Sequence, residues 1–288
     1  MTVPAEKRQP NLLFASVRYL FGLSADWPQF RQTLLANADP VRSILLTRST
    51  QTNEPARCTA LLPVLAQLPQ PLALIEVGSS AGLCLLPDLY GYDYGGHLVR
   101  APEAEVRGPV FTCSVNKAMP LPMVMPKIVW RVGLDLNPLD PAEPSDAGWL
   151  EALVWPEQTQ RLANLRVALR IAAAHRPRNV KGDMLEDGLA QLCGEAPKDA
   201  TLVVFHTAVL GYVPGRAKRQ AFTKRVTSLC PFWISNEPAP VLPEIANRAG
   251  VAPTPGQFLM SVNGAPVAWT DPHGTALEWI GDVDWMAA

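Results

Sequence analysis

The sequence predicts an α/β protein with a mainly parallel sheet that helices cover on both faces. From residue 71 onward, short runs of strand length alternate with segments of helical periodicity, and the runs are mainly apolar without a regular polar alternation. A strand that is apolar on both faces is typical of a parallel sheet with helices on either side. The first 70 residues carry no convincing strand signal, which predicts a helical N-terminal extension.

The composition indicates a globular chain and excludes several classes of protein. Of the 288 residues, 48% are apolar and 18% are charged, and the net charge is −1 without any stretch of five consecutive like charges. This balance lacks the basic footprint of a general nucleic-acid binder. No apolar run approaches the ~18 residues of a membrane span, and the N-terminus lacks the apolar core of a signal peptide. We therefore expect neither nucleic acid nor a membrane as a partner.

The cysteines favour a reducing compartment. Five of them lie far apart and form no C-x-x-C pair: Cys58, Cys84, Cys113, Cys193 and Cys230. An odd and unpatterned set is typical of reduced thiols in a cytoplasmic protein. No Cys/His spacing fits a zinc site. We expect a cytoplasmic protein that holds no metal.

Helical periodicity dominates residues 1–70. Apolar residues recur at helical spacing from Leu12 to Phe21, and shorter helices are predicted over 27–36 and 41–47. A further helix is predicted to begin at Thr52 or Asn53, either of which can cap it, and to run to about Leu68. Together these helices form the predicted N-terminal extension.

Apolar runs then predict the strands of the sheet. Five of them cover residues 72–77, 127–134, 179–181, 200–205 and 232–235. A C-terminal antiparallel hairpin is predicted from residues 257–262 and 266–270, which flank Asn263-Gly264, a strong two-residue turn signal. Residues 90–126 are rich in Tyr, Gly and Pro and predict an irregular or hairpin-like insertion. A long helix is predicted over 149–175, where Pro156 bends or divides it.

The most informative stretch begins at the end of the first predicted strand and reads Glu76-Val77-Gly78-Ser79-Ser80-Ala81-Gly82. A strand, a loop of small residues and a helix predicted to open at Leu83 place backbone amides at a helix N-terminus. Such a terminus binds an anion or a polar ligand head. The small residues allow the ligand to approach the backbone closely.

This loop has four interpretations. A dinucleotide-binding G-x-G-x-x-G fingerprint fails, because Ser80 and Leu83 stand where glycines are required. A nucleophile elbow, G-x-S-x-G with Ser80 as nucleophile, matches the letters, but that fold needs strands upstream, where this chain is predicted helical. The S-adenosylmethionine loop of Rossmann-like methyltransferases, acid-x-G-x-G-x-G, fits Glu76, Gly78 and Gly82, and an acid there suits a cationic amine. The fourth interpretation is a tight turn that binds nothing.

Six stretches together carry a family resemblance: QTNE at 51–54, EVGSSAGL at 76–83, GLDLNPLD at 133–140, WPEQ at 155–158, FHTAVL at 205–210 and DPHG at 271–274. On these stretches the chain resembles a bacterial domain-of-unknown-function family, number twenty-three thirty-two, usually described as methyltransferase-like. The resemblance implies a Rossmann-like class I methyltransferase sheet of seven strands over residues 71–288, with an insertion at 90–126. It departs at Cys84, where the family is expected to favour Asn.

The loop pattern and the resemblance imply S-adenosylmethionine as the cofactor. The loop residues expected to bind it are Glu76, Gly78, Ser79, Ser80 and Gly82. Asp135 ends the second predicted strand and is expected to accept hydrogen bonds from ribose hydroxyls; alternatively it caps its own turn. Asp183 is expected to accept a hydrogen bond from the adenine amine, with Met184 packed on the ring; the alternative for Asp183 is a helix N-cap.

Further candidates concern the reaction itself. His206 follows the most apolar predicted strand and is the candidate general base, because imidazole exchanges protons near neutral pH; the alternative is a buried histidine bonded to backbone. Gln51, Asn53 and Thr207 are the candidate substrate-binding residues, with helix capping as the alternative for the first two. His273 lies in an Asp-Pro-His-Gly turn and is expected at the surface.

The predicted function is that of an S-adenosylmethionine-dependent methyltransferase that acts on a small molecule. Residues 206–209 lack the Asn-Pro-Pro-Tyr signature of amino-group methyltransferases, which disfavours that subclass. Two alternatives remain open. One is a binding protein of the same fold that has lost turnover, and the other is a serine hydrolase that uses Ser80.

Overall fold

The computed structural model describes residues 3–100 and 108–281. Contacts within the chain divide it into two compact units. One unit comprises Met1–Asn53 with Asp140–Ala174, and we call it the helical unit. The other comprises Glu54–Leu139 with His175–Ala288, and we call it the sheet unit.

The α-helices of the described residues are, in chain order, α1 (Pro10–Phe21), α2 (Trp27–Ala36), α3 (Ala38–Thr47), α4 (Cys58–Leu65), α5 (Pro144–Leu153), α6 (Thr159–His175), α7 (Gly188–Glu195), α8 (Arg216–Leu229) and α9 (Pro243–Ala249). The strands are β1 (Leu72–Val77), β2 (Gly91–Tyr94), β3 (His97–Val99), β4 (Val110–Thr112), β5 (Ser114–Val115), β6 (Ile128–Asp135), β7 (Arg178–Lys181), β8 (Thr201–Thr207), β9 (Phe232–Pro238), β10 (Phe258–Val262), β11 (Ala265–Thr270) and β12 (Ala276–Trp279).

The helical unit joins the N-terminal helices to α5 through polar contacts. The guanidinium Nη2 of Arg18 donates to the carbonyl oxygens of Glu151, Ala152 and Val154, and so satisfies the C-terminal end of α5. The indole of Trp149, which is fully buried, donates to the carbonyl of Ser49 at 3.1 Å. Burial lowers the pKa of Arg18, against the opposing influence of a nearby glutamate. These bonds tie two distant stretches of chain into one unit.

The sheet unit is a mixed α/β structure around a large, parallel-rich central sheet. Its strand order is β5-β12-β11-β10-β9-β8-β1-β6-β7. The five strands β9, β8, β1, β6 and β7 run parallel to one another. Strand β10 is antiparallel to both β9 and β11, which in turn is antiparallel to β12. The apolar runs of the sequence therefore predicted the parallel part of the sheet.

The sheet has nine strands instead of the expected seven. Strand β5 comes from the insertion at 90–126 and pairs with β12, so the insertion extends the main sheet. The same insertion also forms a second, three-stranded sheet in the order β3-β2-β4. The antiparallel pair β2–β3 agrees with the hairpin-like insertion predicted there. The pairings of β4 and β5 had no signal in the sequence, because strands of two or three residues depend on their partners for stability.

The helix that we predicted after the central loop is absent. The chain instead forms single 3₁₀ turns, Leu83–Leu85 and Pro87–Leu89. Leu83, Cys84 and Leu85 are all buried, so this segment has no polar face with which to form a surface helix. Pro87 then interrupts the hydrogen-bonding pattern that a helix would need. The helix predicted over 149–175 is likewise divided, into α5 and α6.

The parallel strands have a topological switch point between β1 and β8. From β1 the chain passes to β6 and β7 on one side, and then crosses to β8 and β9 on the other. Ligands of open α/β sheets bind outside the carboxyl ends of the strands at such a point. We call this the switch edge. The loop at 78–82, Asp135 and Thr207 all lie on it.

Candidate functional site

The central loop is held in place by its own backbone amides. The N–H of Gly78 donates to Leu134 O at 2.7 Å, and the N–H of Gly82 donates to Ser79 O at 2.7 Å. The N–H of Ser80 donates to Asp135 Oδ2 at 2.8 Å. These three amides are therefore engaged within the protein. Without a following α-helix, the loop does not form the anion-binding terminus that the sequence predicted.

Gly78 is required for close packing at the switch edge. Its φ is +73°, in the left-handed region, and a Cβ atom there would lie 2.3 Å from Cγ2 of Val209. Val209 belongs to the turn that follows β8. The absence of a side chain at position 78 thus makes room for this turn, a reason that the sequence did not indicate.

Glu76 is a buried carboxyl on the switch edge. It is 4% exposed, and its Oε2 has no hydrogen-bond partner among the described residues. Burial raises the pKa of Glu76 well above its ordinary value, and Cys84 and Asp135 raise it further, while Arg57 partly offsets them. A buried carboxyl without a partner is costly when charged. It therefore favours either a proton or a cationic ligand.

Asp135 shapes the loop from the neighbouring strand. Its Oδ2 accepts from the N–H of Ser80, and its Oδ1 accepts from the N–H of Asn137 at 2.7 Å. Asn179, the second residue of β7, accepts from Ser79 Oγ at 2.8 Å and donates to Ser80 O at 3.1 Å. Each oxygen of the Asp135 carboxylate retains a second lone pair. Ribose binding by Asp135 stays a prediction.

Replacement of Asp135 by alanine is expected to destabilise the protein by about 1–3 kcal/mol, because the Ser80 and Asn137 amides lose a charged acceptor. Urea unfolding measures the loss. Asp93→Ala is the matched control, since among the described residues the Asp93 carboxylate accepts a single, exposed N–H, that of Gly96, at 2.7 Å. Equal losses in the two variants would show that Asp135 does not organise the loop.

The two residues predicted at the adenine ring have structural contacts. Asp183 Oδ1 accepts from the N–H of Leu185 at 2.9 Å and so closes the turn ahead of α7. Met184 is partly buried and packs against the apolar core of the sheet unit. Asp183 is not the N-cap of α7, because that helix begins at Gly188 after Asp187; the adenine role remains a prediction.

The predicted substrate-binding residues fall in different units. Gln51 and Asn53 belong to the helical unit, whereas Thr207 ends β8 in the sheet unit. Arg57 donates from Nη1 to both the carbonyl oxygen and Oγ1 of Thr207, each at 3.3 Å. Thr207 is therefore bound to a buried cation that the sequence analysis did not single out.

His206 is not placed to act as a general base. It is fully buried within β8, and its Nδ1 lies 2.7 Å from Glu237 Oε1. The rings of Phe222 and Trp233 pack against the imidazole, with ring centroids 5.7 and 5.8 Å from its own. A base must reach its substrate, and this ring lies on the face of the sheet opposite to Glu76. The expectation was wrong because β8 continues through Thr207, so that His206 points into the core.

The His206–Glu237 pair instead supports the turn after β8. Glu237 Oε1 also accepts from the backbone N–H of Val209 at 2.8 Å and of Leu210 at 3.0 Å. The preceding residue, Ala208, has a φ of +56°, in the left-handed region. One buried carboxylate oxygen therefore holds a strained turn against the switch edge.

A second polar contact lies beside this edge, between Glu54, which belongs to the same polar cluster as the predicted substrate-binding residues Gln51 and Asn53, and His273, which was expected at the surface. Nδ1 of His273 lies 3.3 Å from Oε2 of Glu54, and the side chains are 44% and 3% exposed. Both residues occur in stretches that carried the family resemblance, QTNE and DPHG. Nothing in either stretch indicated that they would meet.

No group of three or more His, Cys, Asp or Glu side chains in 3–100 and 108–281 is arranged to hold a metal ion. Within the same residues, every helix is too short or too polar to cross a membrane.

Comparison with known proteins identifies one family. The sequence model of the family described as "Uncharacterized protein conserved in bacteria (DUF2332)" matches residues 1–279. No curated protein sequence matches the chain.

Proposed function

The chain belongs to the DUF2332 family of bacterial proteins, and on that premise we propose that it binds S-adenosylmethionine at the switch edge and methylates a small molecule. The observation that carries the proposal is the buried Glu76 carboxyl, whose Oε2 has no partner among the described residues. S-adenosylmethionine carries an ammonium and a sulfonium group. A cationic ligand would supply the charge partner that this carboxyl lacks.

The order of the parallel strands supports the same proposal. Numbered by their order in the chain, the parallel strands run 3-2-1-4-5 across the sheet, from β7 to β9. This is the order of nucleotide-binding Rossmann-like sheets, in which the ligand lies beside the first strand. The strands beyond β9 depart from that pattern, because β10 is antiparallel and three further strands follow it.

Each proposed binding residue contacts a different part of S-adenosylmethionine. Glu76 pairs with the ammonium group, Asp135 accepts from the ribose, and Asp183 and Met184 contact the adenine. When bound, S-adenosylmethionine supplies an electrophilic methyl group. The chain contributes orientation and exclusion of water, since Ser79 and Ser80 are themselves buried.

Two alternatives make different predictions. A binding protein without turnover would use the same residues and transfer no methyl group. A serine hydrolase is favoured by one observation, the φ of +49° at Ser80, because nucleophile elbows are strained turns. Against the hydrolase, the loop leads into a 3₁₀ turn and not into the helix that an elbow requires.

Isothermal titration calorimetry with S-adenosylmethionine and with S-adenosylhomocysteine tests the proposal. We expect saturable heat for both ligands, and transfer of a labelled methyl group into a small-molecule extract. Absence of heat and of any thermal shift at millimolar ligand would refute the binding site. Binding without transfer would favour the non-catalytic alternative, and labelling of Ser80 by a fluorophosphonate would favour the hydrolase.

A further inference from the structure

The Glu54–His273 contact lies in a turn that is rigidly held. A Cβ atom on Gly274 would lie 2.0 Å from Ala56 O, and the φ of Gly274 is +75°. Thr59 Oγ1 donates to Gly274 O at 2.7 Å. Arg57 Nε donates to Pro272 O at 2.9 Å. The backbone on both sides of His273 is therefore fixed against the segment that carries Glu54.

The two nitrogens of His273 have different surroundings. Nδ1 is buried and faces Glu54 Oε2 at 3.3 Å, whereas Nε2 is not buried and makes no hydrogen bond to a described residue. At 3.3 Å the contact is within ion-pair distance but lacks the alignment of a hydrogen bond, since Nδ1 of His273 makes no hydrogen bond to a described residue. Hydrogen bonds at proton-transfer sites are often poorly aligned in the absence of substrate and tighten when substrate binds. The arrangement leaves one nitrogen facing a carboxylate and the other open.

Arg57 connects this turn to the switch edge. From one guanidinium it donates to Pro272 O and to the oxygens of Thr207, at the carboxyl end of β8. It is also close enough to Glu76 to influence that carboxyl electrostatically. His273 is thus placed at the margin of the edge that carries the proposed cofactor site.

We propose that His273 and Glu54 form a proton-accepting dyad that serves a hydroxyl-bearing acceptor. Nε2 of His273 takes the proton from the acceptor's hydroxyl, the oxygen keeps the electron pair of the broken O–H bond, and Glu54 stabilises the resulting imidazolium. Glu54 is a positioning residue, which fixes the Nδ1–H tautomer and the direction of the ring. The catalytic role rests on the proposed function, but the dyad itself does not.

The dyad narrows the class of substrate. An alcohol or phenol must lose its proton as its oxygen becomes bonded to carbon, so a base beside it accelerates the reaction. The sequence independently lacks the signature of amino-group methyltransferases at residues 206–209. Both observations favour an oxygen acceptor over an amine.

Long-range ¹H–¹⁵N correlation spectroscopy of the uniformly labelled protein tests the dyad without any ligand, because it reports which ring nitrogen carries the proton. When the His273 ring is neutral, we expect its proton on Nδ1. The signals of His273 are identified by their loss in the variant His273→Asn. His97 is an internal reference of the opposite kind, since its Nε2 lies 2.8 Å from Pro122 O and must donate. An Nε2–H tautomer for His273 in the wild type would overturn the dyad.

Two variants distinguish a ring oriented by Glu54 from a ring oriented only by the backbone of its turn. Glu54→Gln should abolish the preference for the Nδ1–H tautomer. Thr59→Val, which removes the hydrogen bond to Gly274 O, should leave the tautomer unchanged although the turn is loosened. If Thr59→Val shifts the tautomer as much as Glu54→Gln, the ring is held by the turn, and the role of Glu54 is refuted.

A second measurement tests catalysis. His273→Asn should retain the wild-type affinity for S-adenosylmethionine and lower methyl transfer to a panel of alcohols and phenols by about 10²–10⁴-fold. Unchanged transfer would overturn the catalytic role while the proposed function stands. If S-adenosylmethionine does not bind to the wild type, the proposed function fails, and the tautomer measurement still decides the dyad.

Discussion

Gly78→Ala is expected to destabilise the protein by about 2–5 kcal/mol, measured by urea unfolding followed by circular dichroism. Two costs add. A side chain at a φ of +73° costs about 1–2 kcal/mol, and a Cβ atom 2.3 Å from Val209 Cγ2 forces a core displacement of about 1–3 kcal/mol. The second cost falls directly on the turn that follows β8.

Two variants separate these costs. Gly95 has a φ of +67°, and no described heavy atom lies within 4 Å of a Cβ placed there. Gly95→Ala should therefore show only the cost of the backbone conformation. Adding Val209→Ala to Gly78→Ala should restore part of the lost stability, because it removes the methyl groups that clash. Equal losses for Gly78→Ala and Gly95→Ala would contradict the packing argument.

Glu76→Gln is expected to raise the melting temperature and to weaken S-adenosylmethionine binding by about 10- to 100-fold. The loss corresponds to one charge-assisted contact of about 1.5–3 kcal/mol. Glutamine has nearly the shape of the glutamate and removes the cost of a buried charge. Calorimetry and thermal unfolding measure the two effects, and Glu186→Gln, at an exposed carboxyl, should change neither.

The pH dependence of the same variant has a definite sign. The pKa of Glu76 is raised in the folded state, so above the unfolded value of about 4.3 the folded protein holds more protons than the unfolded chain. The contribution of Glu76 to wild-type stability should fall as pH rises from that value through the raised folded pKa. In Glu76→Gln this fall should disappear. A variant that is less stable than the wild type at neutral pH and binds the ligand equally well would refute both arguments.

Much of the sheet could be predicted from the sequence, because its central strands are buried on both faces and read as continuous apolar runs. Strand β1 at Leu72–Val77 and strand β8 at Thr201–Thr207 are examples. The pairing of β5 with β12 could not be predicted, because two residues, Ser114 and Val115, carry no periodicity. Their pairing depends on the rest of the sheet.

Of the candidate site, the sequence predicted only which residues lie at the ends of strands. Glu76 and Asp135 were expected at the carboxyl ends of two strands, and both lie there. The strand β8 was expected to end before His206, but it continues through Thr207. His206 therefore lies within the strand, and its side chain points into the core. Glu54 and His273 stand near opposite ends of the sequence, so only the tertiary fold brings them together.

The discontinuity of the helical unit has a consequence for how the chain is made. Its two stretches, Met1–Asn53 and Asp140–Ala174, are separated by strands of the sheet unit. At a synthesis rate of about 5–20 residues per second, the first stretch waits on the order of ten seconds at the ribosome before α5 emerges. During that interval Arg18 lacks the carbonyl acceptors at the end of α5, and the face of α1 that packs on α5 is uncovered. Nascent α1 therefore stays exposed until α5 has been synthesised.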